Sequence, residues 1–399
     1  MIALEEARAH VLARVAPLPP VELPLMDALG AVTADAVVAG ESVPPFANSA
    51  MDGYAVRGVD TIDAPVELKV VGMIAAGSAG DVHVGAGEAA RIMTGAPVPD
   101  GADAVVLVER TRTEGDVVTI EIAVEPGTAL RAAGDDVRPG DVVVAAGTVL
   151  TPGHLGVLAS VGVERVVVHR RPRVGVLSTG DELVVSGPLG RGQIRDSNRP
   201  TLLALVREAG FEAIDLGVAA DDEASITSAL EHAVSSCDAV LTSGGVSMGD
   251  LDFVKVVLDR IGDMRWMQIA IKPAKPFAFG TVGAVPVFGL PGNPVSSMVS
   301  FELFARPALR QMAGRPDLDR LVVPAVAVDG LRRTPDGKTH FARVVAAQVD
   351  DGSWTVVSAG GQGSHQLAAM AAANALAILP DGDGVVPGGV VRTMLLGPA

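Results

Sequence analysis

The sequence predicts a multidomain protein of the α/β-plus-β class, with a mostly parallel sheet in its α/β part. Three observations carry this. From residue 172 onward, strand-like apolar runs alternate with helical segments of about ten residues or more, the pattern of parallel strands joined by crossover helices. From 44 to about 135, and again from about 318, short Val-rich runs are broken by Gly and Pro, the cadence of small β domains. At 399 residues the chain is long enough for several domains.

In chain order, ALEEARAHVLARVA (3–16) spaces its apolar residues as a helix and stops at PLPP. VELKVVGMI, EAARIM, DAVVLVER and DVVTIEI then read as strands of a β domain. VRPGDVVVAAGTVLTPGHLGVLASVG, from 137, returns to strand and helix, so the β domain is expected to be an insertion. RVGVLS opens the α/β part. It is followed by helix RPTLLALVREAG, strand FEAIDLGV, helix DEASITSALEHAVSS, strand DAVLTS and helix LDFVKVVLDRIG. MRWMQIAI, KPFAFGTV and VPVFGLP read as strands, and PVSSMVSFELFARPALRQMAG as one long helix. LVVPAVAV, HFARVVAAQV and TVVSAG, an Ala-rich helix (HQLAAMAAANAL) and a final β pair complete a compact terminal β domain.

Composition excludes several functions. The chain carries 31 basic and 47 acidic residues, a net charge of -16, which argues against a nucleic-acid or membrane-surface binder. One cysteine, Cys237 in SSCDAVLTS, excludes a disulfide framework and a CxxC metal site, and its apolar setting predicts a packed, inert thiol. The N-terminal MIALEEARAH lacks the features of a signal peptide, and no apolar run approaches the roughly 18 residues of a membrane span, so a cytoplasmic protein is expected.

Four loops just past strands of the α/β part carry polar residues: STGDEL (178–183), IRDSNRP (194–200), LTSGGVSMGDLD (241–252) and GLPGNPVSS (289–297). Ligands of such sheets bind at the C-terminal ends of the strands. In the third loop Ser243, Gly244, Gly245 and Ser247 offer an anion cradle, with Asp250 and Asp252 beside it. In the fourth, Asn293 suits an N-cap, Pro294 the first helical position, and Gly292 close approach of the backbone to a ligand, together a helix N-terminus whose free amides would hold a phosphate or oxyanion. An ordinary capped helix has the same signature. IKPAKPFAFG supplies Lys272 and Lys275 as a fixed cationic spot. Asp181, Glu182, Asp196, Asp221, Asp222, Asp250 and Asp252 all follow strands, more acids than capping requires, although Asp221 or Asp222 suits the N-cap of the helix at 223. Carboxylates beside an amide cradle suit a phosphorylated ligand carried with Mg2+. No GxSxG, HExxH or GxxxxGK[ST] motif is present. His154, His340 and His365 are expected to cap, pack or hydrogen-bond rather than bind metal.

VPPFANSAMDGYAV, RIMTGAPVPDGADAVV, RAAGDDVRPGD, GVLSTGDEL, IRDSNRP, TSGGVSMGDLDFVK, IKPAKPFAFG, VFGLPGNPVSS and QGSHQLAAMAAANAL follow one another in order. Over essentially the whole chain this resembles the molybdopterin molybdenumtransferase family, the enzymes related to the C-terminal domain of gephyrin. The resemblance implies a homodimer of four-part subunits. Residues 1–43 and 136–168 would form a discontinuous N-terminal, dimerisation segment, 44–135 the inserted β domain, 169–317 a molybdopterin-binding α/β domain and 318–399 a β-barrel. It implies insertion of molybdate into adenylylated molybdopterin, with Mg2+ assisting and AMP leaving. The active cleft would lie between the α/β domain of one subunit and the inserted domain of the other.

By matched motif, the resemblance implies Asp52, Glu182, Asp252, Lys272 and Lys275 as catalytic, with Glu182, Asp222 and Asp252 as metal ligands. The register of the 221/222 position is ambiguous by one. Thr94, Asp136, Pro291, Pro294, Arg343 and Ser364 join Ser243, Gly244, Gly245, Ser247, Gly292 and Asn293 as substrate-binding residues. The dithiolene sulfurs belong to the substrate, which fits a chain with one cysteine. The molybdopterin adenylyltransferase and recipient molybdoenzymes are candidate protein partners. Two other readings stay open: the adenylylation step, which needs only the α/β domain, and a non-catalytic molybdopterin or cofactor carrier.

Overall fold

The computed structural model describes residues 1–245 and 253–397. The chain forms two compact units, residues 22–168 and residues 1–21 with 169–399.

The first of these is built on a six-stranded sheet in the order Ala104–Leu107, Gly53–Val56, Glu88–Ile92, Val66–Ile74, Val117–Ile120 and Thr111–Glu114. Tyr54, Val56, Leu68, Ala89, Val106 and Val118 bury one face, and Ala55, Ala90, Ile92 and Val105 the other. The alternation within Gly53–Val56 is the two-residue period of a strand covered on both sides. The chain entering and leaving this sheet runs side by side: Val37–Val38 pairs with Val142–Val144, and Val43 bridges Val137.

The larger unit contains a second six-stranded sheet, ordered Glu212–Ala219, Arg173–Thr179, Ala239–Ser243, Val285–Leu290, Pro276–Val282 and Asp263–Gln268. The first four strands are mutually parallel; Pro276–Val282 runs antiparallel to both its neighbours, so Asp263–Gln268 shares the direction of the first four. Val174, Val176, Ala239 and Leu241 pack with helices Leu4–Leu12, Asn198–Glu208 and Pro294–Ser300 on one face. Leu177 and Val240 pack with helices Glu223–Ser236 and Phe253–Ile261 on the other. The Phe277 and Phe304 rings stack at 4.4 Å in the first of these cores, where truncating either to Ala costs about 3–5 kcal/mol. Cys237 is buried beside the sheet, and burial pushes its thiol pKa up, as expected of an inert cysteine.

The helix expected over PVSSMVSFELFARPALRQMAG departs from regularity. Pro294–Ser300 and Arg306–Met312 are α-helical, and Phe301–Ala305 between them widens into a π-turn. Pro307 is the cause: it has no N–H to return to the Leu303 carbonyl. Arg8 Nη1 donates to that oxygen instead, at 2.8 Å.

The terminal domain is a closed five-stranded barrel. Thr339–Gln348, Trp354–Ser358, Val322–Ala327, Val390–Leu395 and Ala375–Leu379 follow one another round it, and the last pairs again with the first. Ile271–Lys272, from the α/β part, pairs parallel with the start of Thr339–Gln348, with Lys272 opposite His340. No helix among the described residues is long and apolar enough to cross a membrane.

Candidate active site

The register of the central sheet brings the flagged loops to one edge. Ser178 pairs with Ser243, Ser243 with Leu290, and Thr179 with Ala219, so the loops that follow leave at one level. Ala278 lies opposite Gly289 on the antiparallel neighbour, which delivers the residues before Pro276, Lys275 and Lys272, to that same edge. Asn198 ties three of the loops together: its Nδ2 donates to Ser243 Oγ at 2.7 Å and to the Gly292 carbonyl at 2.7 Å. Gly244 and Gly245 both have left-handed backbones, φ 98° and 70°, conformations that glycine adopts without strain. A Cβ on Gly244 would also press to 3.1 Å from the Thr179 carbonyl.

A cavity of about 700 Å³ opens at this edge. Lys272, Lys275 and Lys338 line it with Asn293, Ser296 and Ser364, and among the described residues no carboxylate does. Asn293 stands at the N-cap position with Pro294 next, as expected, but its side chain makes no capping hydrogen bond. The expectation of free amides at this helix start needs correction. The Val295 N–H is taken by the Ser364 carbonyl at 3.1 Å, so the barrel loop docks where an anion was expected. Pro291 is buried beneath the turn and Gly292 is exposed.

Arg343 is 1 % exposed and has no carboxylate partner among the described residues. Its Nη2 donates to the carbonyls of Gly361 (2.8 Å) and Gly363 (3.1 Å), and its N–H to Gln362 Oε1 (2.9 Å). Arg343 thus supports the loop that carries Ser364 rather than lining the 700 Å³ cavity. Burial lowers its pKa. It faces a smaller cavity of about 310 Å³ with Lys272, Arg332, Asp336 and His340. There His340 Nε2 meets Asp336 Oδ1 at 3.1 Å. Partial burial works to raise the Asp336 pKa, but hydrogen bonds from Lys338 and His340 outweigh it and hold the carboxyl down at about 2.

The acids separate by job. Asp222 is the N-cap of Glu223–Ser236: Ser225 N–H and Oγ donate to its two oxygens at 2.8 and 2.7 Å, which lowers its pKa. Asp196 is structural, accepting from Ser178 Oγ (3.2 Å) and Arg199 Nε (2.9 Å). Glu182 folds its carboxylate back over Gly180, where an added Cβ would lie 2.5 Å from Oε2. Asp181 Oδ1 accepts the Asp221 N–H at 3.1 Å. Burial raises the Asp221 pKa, and the charges of Asp181 and Glu182 raise it further. Asp222, expected as a metal ligand, thus spends both carboxylate oxygens on the cap, and Asp221 lies near Asp181 and Glu182. Among the described residues, no three His, Cys, Asp or Glu side chains converge as a metal-binding group. Ser247, Asp250 and Asp252 lie outside the described residues.

In the 22–168 unit, Asp52 Oδ1 accepts both the N–H and the Oγ of Thr94, each at 2.7 Å. Those two bonds, the backbone one first, hold the exposed Asp52 carboxyl below the ordinary carboxylate range. Asp136 is exposed on a separate turn, its N–H donated to the Val43 carbonyl at 2.9 Å. His154 completes a capping box with Thr151, and His365 lines the large cavity. Lys338, Ser296 and Asn198 were not singled out from sequence. Asn198 and Ser296 had a signal, their places in IRDSNRP and GLPGNPVSS; Lys338 sits in an unremarkable PDGKTH turn, brought near by the pairing of Lys272 with His340.

A chain with an α/β domain whose strand ends meet a lysine-lined cavity, a β domain and a closed terminal barrel is a multidomain small-molecule enzyme of the MoeA architecture. Residues 2–162 match the MoeA N-terminal region (domain I and II), 175–311 the probable molybdopterin binding domain and 330–396 the MoeA C-terminal region (domain IV). A molybdopterin molybdenumtransferase of Haemophilus influenzae is 39% identical over 398 residues, 99% of this chain and 98% of its own. Molybdopterin molybdenumtransferase 2 of Mycobacterium tuberculosis is 41% identical over 91% of both chains. The crystal structure of the molybdopterin biosynthesis MoeA protein of Pyrococcus horikoshii superposes with a TM-score of 0.85 at 32% identity, covering 100% of both chains. The chain belongs to the molybdopterin molybdenumtransferase family; it is a transferase of molybdenum cofactor biosynthesis.

Proposed function

We propose that the chain inserts molybdate into adenylylated molybdopterin and releases AMP, and that the 700 Å³ cavity receives the molybdate. The observation that carries this reading is the lining: three lysines, two serines and an asparagine, with no carboxylate among the described residues. Molybdate is a tetrahedral dianion, and ammonium groups with hydroxyl and amide donors suit it. Lys272 and Lys275 hold its charge, and Ser364, Ser296 and Asn293 orient its oxygens. Arg343 keeps the Ser364 loop in place. The left-handed Gly244–Gly245 turn admits the substrate's pyrophosphate close to the backbone, beside Ser243 and under the Asn198 clamp. Pro291, Gly292 and Pro294 shape the facing turn.

Mg2+ usually binds through one or two carboxylates and completes its shell with water and substrate phosphate. Glu182 and Asp221 fit that donor set: burial, and after it the charges of Asp181 and Glu182, raise the Asp221 pKa, and a cation there relieves that repulsion. Asp252 is a further candidate. The bound ion would supply charge neutralisation at the leaving phosphate. Asp52, kept ionised and oriented by Thr94, is a second essential acid, with Asp136 beside it in role. The working form is a homodimer in the cytoplasm, taking substrate from the molybdopterin adenylyltransferase and handing product to recipient molybdoenzymes.

The test supplies the protein with adenylylated molybdopterin, molybdate and Mg2+, and follows AMP release and reconstitution of an apo molybdoenzyme. Molybdate-dependent AMP release with reconstitution supports the transferase reaction. Tight binding without AMP release moves the chain to the carrier class.

A further inference from the structure

Lys272, Pro273 and Gln362 line both the 310 Å³ and the 700 Å³ cavity. Asp336 lines the smaller and Lys338 the larger, so the 3.1 Å bond from Lys338 Nζ to Asp336 Oδ2 runs from one lining to the other. Of the three lysines on the larger cavity, Lys338 alone forms an ion pair among the described residues. An ammonium carries three donors, and Asp336 takes one of them.

A lysine in a surface turn ordinarily samples many rotamers. Lys338 is instead held at both ends by one network. Arg333, whose side chain is 2 % exposed, donates from Nη1 to the Lys338 carbonyl at 2.7 Å and from Nη2 to Asp336 Oδ1 at 2.8 Å. The same Nη2 reaches Asp381 Oδ1 at 2.8 Å, and that oxygen accepts the Asp336 N–H at 3.0 Å. With His340 Nε2 also on Asp336 Oδ1, the other oxygen is left to Lys338. Arg333 and Lys338 balance Asp336 and Asp381, and burial lowers the His340 pKa, so the imidazole adds no charge at neutral pH. The network therefore contributes a fixed donor rather than a net positive field.

We propose, taking the 700 Å³ cavity as the molybdate site, that Lys338 is a third oxyanion-binding residue and that Asp336 is its positioning residue. Asp336 holds the ammonium before the anion arrives, so binding has one long side chain fewer to order. Lys338 then gives the oxyanion a charge-assisted N–H while a second N–H stays on Asp336. Lys272 and Lys275, in no ion pair among the described residues, supply the net charge, and Lys338 supplies direction. The sign of one substitution separates positioning from simple electrostatics. Were Asp336 only a nearby negative charge, removing it would tighten binding of a dianion. Because it positions Lys338, removing it weakens binding.

The experiment titrates molybdate by calorimetry into the full chain and its variants, each checked for folding by circular dichroism. Lys338→Met should weaken binding about tenfold. Asp336→Asn should weaken it about threefold in the parent and leave it unchanged in the Lys338→Met background, the non-additivity of a residue that acts through another. A turn merely loosened by Asp336→Asn would weaken binding equally in both backgrounds, which overturns the positioning role. Tighter or unchanged binding in Asp336→Asn overturns it too. If Asp336→Asn does not fold, Asp336→Glu, which keeps the charge but displaces it, takes its place with the same expected pattern. Lys275→Met separates the two levels. Loss of binding there with Lys338→Met unaffected removes Lys338 alone from the site, whereas undiminished binding in Lys275→Met overturns the cavity reading and Lys338 with it.

Discussion

The Val295 N–H donates to the Ser364 carbonyl at 3.1 Å, and this bond joins the barrel loop to the start of the helix behind the lysine-lined cavity. Because the bond is made by the Ser364 backbone, the side chain is left for the cavity. Ser364→Ala should keep the melting temperature within a degree or two. It should raise the KM for molybdate about tenfold while kcat changes less, the signature of lost binding rather than lost chemistry. Equal steady-state constants for the variant and the parent would remove Ser364 from the site.

Arg8 and Pro307 form a second testable pair. Arg8→Ala leaves the Leu303 carbonyl without the donor that replaces the missing proline N–H, and should cost about 1–3 kcal/mol in denaturant unfolding. Pro307→Ala restores a backbone donor. In that background Arg8→Ala should cost distinctly less, and a double-mutant cycle reads the difference. Additive effects would mean that Arg8 acts only through Asp319.

Asp221 provides a pH prediction. Its folded pKa is raised above the ordinary 3.8, so the folded state holds the proton more tightly than the unfolded one. Stability therefore falls as pH rises from 3.8 through the raised folded value. Asp221→Asn should make the metal-free protein slightly more stable at pH 7, leave it unchanged at pH 3, and weaken Mg2+ binding. Lower stability at pH 7 with unaltered Mg2+ affinity would contradict the metal role.

Asp52 and Glu182 can be tested together. Asp52→Asn keeps a side chain that accepts from Thr94 but loses the charge, and Glu182→Gln loses charge beside Asp181 and Asp221. Each should lower turnover at least a hundredfold while the fold stays intact. If the working form is a homodimer whose clefts draw on both subunits, unfolding and refolding the two variants together should restore about a quarter of the activity, through mixed dimers with one intact cleft. No recovery on mixing would place both acids in the same cleft of one chain.

Legibility of the sequence followed the physics of each element. Strands such as Arg173–Thr179 and Ala239–Ser243 were readable because both faces are buried, which demands apolar, β-branched runs closed by glycine. The π-turn at Phe301–Ala305 was not, because Pro307 is compatible with a kink, a break or a fresh helix start, and only Arg8, some three hundred residues away in sequence, decides among them. Asp222 was readable as a cap but not distinguishable from Asp221, since a one-residue shift exchanges the capping acid for the one beside Asp181. The Val295 amide looked free because nothing local announces that Ser364 will dock on it. Lys338 joins the cavity only through the strand pairing of Ile271–Lys272 with Thr339–His340, a long-range register that periodicity does not encode.

The measurement that bears most directly on the account is the position of the oxyanion itself. Crystals of the protein soaked in molybdate and measured near the molybdenum absorption edge would locate it by anomalous scattering. The account predicts a peak in the cavity among Lys272, Lys275 and Ser364, lost in crystals of Lys275→Met. A peak confined to other cationic surfaces, with that cavity empty at saturating molybdate, would contradict it.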